Sequence, residues 1–345
     1  MIRTIGVLAL ASVSLAACGG GTTGGGTREE IRAVGSSTVY PFATAIAESF
    51  TNKGGFKSPV IESTGTGAGM KLFCAGVGTA HPDIENASRR IKKSEYEDCA
   101  KNGVKDIIEL QIGLDGIAFA EATGGANMKL TVADVYKALA ANPFGKPNTA
   151  KNWSDVNPAL PAMPIVVYGP PSTSGTRDAL AELILTKGCE SDPAMKALKE
   201  SDKDKHKDLC TKIREDGAYV DAGENDNLIV QKIAANPKAI GIFGFSFLEE
   251  NMDKLKGIPM NGIVPTYQTV SDFTYPGARP LYVYAKKAHL SAIKGLKEYL
   301  AEFAGAWGPD GSLKKRGMVI APADVRAKNE AVAKDLTLLD PSSLK

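Results

Sequence analysis

The sequence predicts an α/β protein with parallel or mixed sheets covered by helices, on three observations. Short apolar runs alternate with stretches of helical periodicity along most of the chain, which is the pattern of βα units. The junctions from strand to helix are small, glycine-bearing and rich in hydroxyls. At 345 residues the chain is long enough for two domains rather than one. Composition is that of an ordinary soluble protein, 43% hydrophobic and 23% charged with a net charge of +2. The near balance of 41 Lys+Arg against 39 Asp+Glu argues against a basic groove for nucleic acid. The lysines between Lys199 and Lys207 are interleaved with acids, as on a solvated helical face.

Taken in order, Arg3 precedes an apolar stretch, Ile5 to Ala17, that is short for a membrane span and suits the h-region of a secretory signal. Leu15-Ala16-Ala17-Cys18-Gly19 has the form of a bacterial lipobox, so residues 1–17 are expected to be a signal peptide and Cys18 the lipidated first residue. Plain cleavage after the small residues is the alternative. Residues 18–27 then form a Gly/Thr tether with a reach of roughly 15–18 Å, and the folded body is expected from about Arg28. This places the protein in the periplasm, tethered to a membrane. Whether the anchor sits in the inner or the outer membrane stays open.

Ile31-Arg32-Ala33-Val34 reads as a strand, Gly35-Ser36-Ser37-Thr38 as a turn, and Pro41 as a first-turn residue of a helix with Phe42, Ile46 and Phe50 on one face. Val60-Ile61 precedes the loop Ser63 to Gly69, which leads into Met70-Lys71-Leu72-Phe73. Asp83-Ile84 leads to Ala87-Ser88-Arg89-Arg90. Ile107 to Ile112 and Gly116 to Ala120 read as two strands, Thr131 to Ala140 and Leu228 to Ala235 as helices. Ile165 to Tyr168 is a further strand, followed by Ser174-Gly175-Thr176-Arg177 at the start of a helical stretch, Asp178 to Leu185.

That last junction carries the most chemistry. Unpaired N–H groups and the positive end of the helix dipole converge at a helix N-terminus, Gly175 admits a close approach to the main chain, and Arg177 adds donors shaped for oxyanions. A serine N-cap beside a solvated arginine is the plainer reading, and repetition of the same grammar at residues 35–38, 63–69 and 88–89 weighs against it. A nucleotide site is not indicated. The loop from Gly65 to Gly69 lacks the Lys-Ser/Thr ending of a P-loop, and no G-x-G-x-x-G with a following acid is present.

Setting Cys18 aside, Cys74, Cys99, Cys189 and Cys210 make an even number in an exported chain, which suggests two disulfides. Of the three connectivities, Cys74 with Cys99 and Cys189 with Cys210 is favoured because each pair closes a local loop. The cysteines lack C-x-x-C spacing, and His81, His206 and His289 are scattered, so neither a metal site nor a cofactor is expected.

G-S-S-T-V-Y-P-F at 35–42, S-T-G-T-G-A-G at 63–69, D-I-x-N-A-S-R at 83–89, D-G-I-A at 115–118, S-G-T-R-D at 174–178 and A-I-G-I-F-G at 239–244 resemble, in order and spacing, the periplasmic phosphate-binding lipoproteins of bacterial high-affinity ABC phosphate importers. The resemblance spans nearly the whole mature chain. It implies the two-lobed type II periplasmic binding protein fold, with mixed sheets flanked by helices and two crossover strands as a hinge, near Ile117 to Glu121 and Leu281 to Tyr284. Lobe 1 would be 28–118 plus 281–345 and lobe 2 would be 119–280.

It also implies phosphate contacts at Ser37 and Thr38, at Thr66, at Ser88 and Arg89, and at Ser174, Gly175 and Thr176. Two positions depart from the best-known members. Arg89 stands where they have an aspartate that accepts the phosphate proton, and Pro170-Pro171 stand where they have the cleft arginine. Arg177 is the candidate replacement cation, Arg89 either joins it or faces solvent, and Asp115 is the candidate proton acceptor. The implied function is binding of inorganic phosphate for delivery to an inner-membrane ABC permease, without chemistry of its own; the sequence shows no heptad or long exposed apolar run, so a monomer is expected. A receptor for sulfate or molybdate is the alternative within the binding class. An exported phosphatase using Ser174 or Ser37 as nucleophile is the alternative outside it, though no histidine or carboxylate cluster accompanies either loop.

Overall fold

The computed structural model describes residues 28–172, 174–223 and 226–344. The expected signal peptide, Cys18 and the tether lie outside the described residues. The strands are β1 (Arg32–Gly35), β2 (Val60–Ser63), β3 (Ile84–Ala87), β4 (Ile107–Ala122), β5 (Val167–Gly169), β6 (Tyr219–Asp221), β7 (Ile240–Gly244), β8 (Leu255–Gly257) and β9 (Ala278–Lys286). They form one mixed sheet in the order β2-β1-β3-β9-β4-β7-β5-β6, with β8 added to β4. Pairing is parallel among β1, β2 and β3 and among β5, β6 and β7, and antiparallel wherever β4 or β9 takes part.

Where the sequence predicts two strands, the structure has one. β4 runs unbroken through Gly113 and Asp115, because its middle still has partners: Leu114 exchanges backbone hydrogen bonds with Val319, and a register shift between Gln111 and Gly113 lets the strand bend without leaving β9. β4 pairs with β9 up to Gly116 and with β7 from Ile117, so this strand is common to both halves of the sheet.

Each half has its own core. One gathers Phe42, Ile46 and Phe50, one face of the helix Tyr40–Asn52, with Ile84, Ile108, Leu110, Val283, Tyr299, Phe303 and Trp307. The other packs Ile117, Phe119, Ile240 and Ile242 with Tyr136, Trp153, Leu180 and Ile184. A smaller cluster of Met70, Phe73, Tyr282 and Tyr284 encloses Cys74 and Cys99. Cys74 is bonded to Cys99 and Cys189 to Cys210, the two local pairs favoured by the sequence.

Helix starts follow local rules in some places and not in others. Thr131 caps the helix Val132–Leu139 by accepting from Asp134 N, while the Asp134 carboxylate accepts from Thr131 N, a reciprocal capping box. The helix Tyr40–Asn52 has Pro41 in its first turn but no side-chain cap, so the hydroxyls of Ser36, Ser37 and Thr38 serve other partners.

Candidate functional site

The loops after β1, β2 and β3 are tied together at their base. Gly35 sits at φ +128°, a left-handed conformation that favours glycine, and its carbonyl accepts from Thr64 N and Gly65 N, both at 2.8 Å. Ser36 N donates to Asn86 O at 2.7 Å, and Thr38 N donates to Ser36 Oγ at 3.1 Å. Ser88 N donates to Thr66 Oγ1 at 3.1 Å, and the two hydroxyls lie 3.1 Å apart. Four expected site residues, Ser37, Thr38, Thr66 and Ser88, thus belong to one loop cluster at the C-terminal ends of parallel strands, where ligands of open α/β sheets bind.

The second wall is the helix Gly175–Ala179, which continues through a wider turn at Leu180–Leu185 to Cys189. Ser174 caps it, accepting from Thr176 N at 3.2 Å. The two walls touch. Ser37 Oγ donates to the Asp178 carboxylate. Thr38 Oγ1 donates to Gly175 O at 3.3 Å. A Cβ at position 175 would lie 2.6 Å from Thr38 Cα, so only glycine permits this approach.

Between the walls is a cavity of about 400 Å³, lined by Ser37, Thr38, Asp115, Ser174, Gly175 and Thr176, together with Tyr40, Asp226, Phe247 and Arg316. Thr66 and Ser88 lie outside this lining, paired with each other. Asp115 projects from β4 with its side chain 14% exposed and accepts from Arg279 Nε at 3.1 Å. Burial pushes its carboxyl above the usual range, with Arg279 opposing.

The arginines named from sequence turn elsewhere. Arg89 makes a bidentate pair with Glu95, at 2.9 and 2.7 Å. Arg177 lies over the Tyr219 ring, 4.4 Å from its centroid, and donates to Pro170 O at 3.2 Å. Tyr219 itself donates to Pro170 O at 2.6 Å, and burial, opposed by Arg177, pushes its hydroxyl up to about 12. The cation in the cavity lining is Arg316, in an exposed pair with Glu48, while Arg279 stands behind the lining and donates to Thr38 Oγ1 at 2.7 Å. Neither carries a local sequence signal. Asp178 was legible as part of S-G-T-R-D, but nothing local shows that it meets Ser37.

Chemically this is a set of hydroxyls and a helix start aimed into a mixed polar and aromatic cleft. Its lining holds hydroxyls and two carboxylates, Asp115 and Asp226, but no histidine among the described residues. Such a set suits hydrogen bonding to an oxyanion more than activation of a nucleophile.

A family model described as a PBP superfamily domain matches residues 20–306. The chain is 35% identical over 279 residues to Protein SphX of Synechococcus elongatus, covering 77% of this chain and 72% of that protein. It is 31% identical over 297 residues to the phosphate-binding protein PstS of Staphylococcus saprophyticus, covering 84% and 81%. Among solved structures, a possible phosphate binding protein from Planctomyces limnophilus superposes with a TM-score of 0.71 at 26% identity, over 89% of this chain and 98% of that one.

Proposed function

This chain belongs to the PBP superfamily, and from that premise we propose that it binds inorganic phosphate in the cleft and delivers it to an ABC-type import permease. The observation that carries this reading is the meeting of the Ser37-Thr38 loop with the capped helix start at Ser174, Gly175 and Thr176 around one cavity. Phosphate is stripped of water on entry, and charge-assisted hydrogen bonds of about 1.5–3 kcal/mol each offset that cost. A micromolar Kd needs only about 8 kcal/mol net.

The lobes of this reading are 28–118 with 281–345 and 119–280, closing about β4 and β9. The Thr66-Ser88 pair supports the floor of the site. Asp115 is the acceptor for the proton of hydrogen phosphate, since it lines the cavity and offers an oxygen beyond the one Arg279 holds. Sulfate has no proton to give and would face that carboxylate charge against charge, so phosphate is preferred. The protein is exported, held to a membrane through lipidated Cys18, monomeric, and free of catalysis.

Calorimetric titration of the stripped protein with phosphate, sulfate, molybdate and a phosphonate tests the binding reading. Phosphate should bind strongly and sulfate weakly, and comparable sulfate affinity would remove the phosphate assignment. Asp115→Asn should narrow the ratio between the two. Turnover of p-nitrophenyl phosphate would favour a phosphatase instead. Cys18→Ser should leave the membrane fraction or accumulate uncut precursor, and unchanged partitioning would count against the anchor.

A further inference from the structure

Arg279 stands on β9 directly opposite Asp115 of β4, at the end of the long β4/β9 ladder, and its side chain is only 7% exposed. Its guanidinium meets three elements at once. Nε donates to Asp115 Oδ2 at 3.1 Å, Nη1 to the Glu182 carboxylate on the helical run that begins at Gly175, and Nη2 to Thr38 Oγ1 at 2.7 Å. A planar fork of five donors can hold three partners in fixed directions, which the single nitrogen of a lysine cannot.

The consequence falls on Thr38. A hydroxyl has one proton and two lone pairs, and a cation donating to one lone pair directs the proton away from itself. The acceptor that the hydroxyl then finds, Gly175 O, is 3.3 Å distant and so a weak one. An oxyanion in the cavity is a stronger acceptor for the same proton.

An arginine between two carboxylates is commonly no more than a structural ion pair. The third contact, to a cavity hydroxyl, is what separates this one. We infer that Arg279 is a positioning residue of the oxyanion site: it sets the Thr38 hydroxyl as a donor and, through Glu182, ties the helix that starts at Gly175 to the same cation. Donors on both walls are then oriented by one side chain that touches neither the ligand nor its proton. The inference rests on the phosphate reading above.

A double-mutant cycle with phosphate calorimetry and dissociation kinetics tests it. Arg279→Lys should weaken phosphate binding about tenfold when Thr38 is present and threefold or less in a Thr38→Val background, because its effect passes through the missing hydroxyl. Equal weakening in both backgrounds overturns the inference. Should Arg279→Lys fail to fold, Glu182→Gln loosens the same fork from its more exposed end, where the carboxylate is 62% exposed. That variant should bind phosphate about threefold more weakly through faster release, with the melting temperature of the ligand-free form unchanged, and unchanged affinity and release rate overturn the inference equally. Wild-type protein that takes up no phosphate would instead remove the reading beneath it.

Discussion

Asp83 and Glu85 stand two residues apart at the start of β3, both fully buried, yet their surroundings are opposite. Asp83 accepts from Arg28 Nη2 with both oxygens, at 2.6 and 2.5 Å, from Arg32 N at 2.7 Å, and from His289 Nδ1 at 2.6 Å. Gly78 N donates to the other ring nitrogen of His289 at 2.9 Å, which leaves Nδ1 as the nitrogen bearing the proton. Neither oxygen of Glu85 has a hydrogen-bond partner among the described residues. Burial pushes its carboxyl well above the usual range, with Arg89 opposing and Glu95 adding to the rise.

The difference follows what each carboxyl meets as the strand enters the sheet. Just ahead of the strand, the Asp83 carboxylate is bonded on every side and ties Arg28 and Arg32 to the turn after β9. Two residues on, Glu85 is wedged between Gly35 and Gly69, beneath the loops that carry Ser37, Thr38 and Thr66. A carboxyl that holds its proton to higher pH there puts less negative charge under a site for an anion.

The comparison breaks most visibly at Asp83. Asp83→Ala leaves the buried His289 and the part-buried Arg28 without their acceptor, and should cost about 3–5 kcal/mol in denaturant unfolding. A loss below about 1 kcal/mol would mean that water replaces the carboxylate. Gly69→Ala comes next. Its Cβ would lie 2.3 Å from Glu85 Oε2 and 2.6 Å from Gly35 Cα, and since backbone cannot step aside cheaply, about 1–3 kcal/mol of stability should be lost, together with phosphate affinity. Full retention of both would show that the two loops part easily.

Glu85→Gln should act in the other direction and depend on pH. The unfolded carboxyl ionises near its ordinary value while the folded one holds its proton to higher pH, so the native state binds more protons between the two and wild-type stability falls as pH rises through that window. The neutral amide has no such pH dependence. The variant should match wild type near pH 4 and melt roughly 2–4 °C higher at pH 8, as read by thermal scans across pH. A gap that is constant with pH would show that Glu85 is not held neutral. The smallest effect is expected of Arg89→Ala. Its half-exposed pair with Glu95 contributes about 0–1 kcal/mol, and phosphate affinity should stay within about twofold, because Arg89 is turned to Glu95 and away from the cavity. Loss of binding in that variant would return Arg89 to the cleft.

What the sequence by itself determined is what short segments decide alone. Apolar spacing placed the Phe42, Ile46 and Phe50 face, Ser174 and Thr131 cap the helices they precede, and the short loops 74–99 and 189–210 close into disulfides. Even the continuous β4 shows the limit, since the partners that carry it through Gly113 come from β9 and Val319. The partners of the charged side chains around the cavity were decided only by the tertiary structure. Arg89 finds Glu95 six residues on, whereas Arg279 reaches Asp115 across 164 residues and Thr38 across 241, distances at which no local pattern registers. A long flexible side chain takes whichever partner the packed fold brings within about 3 Å, and that choice exists only once the sheet has assembled.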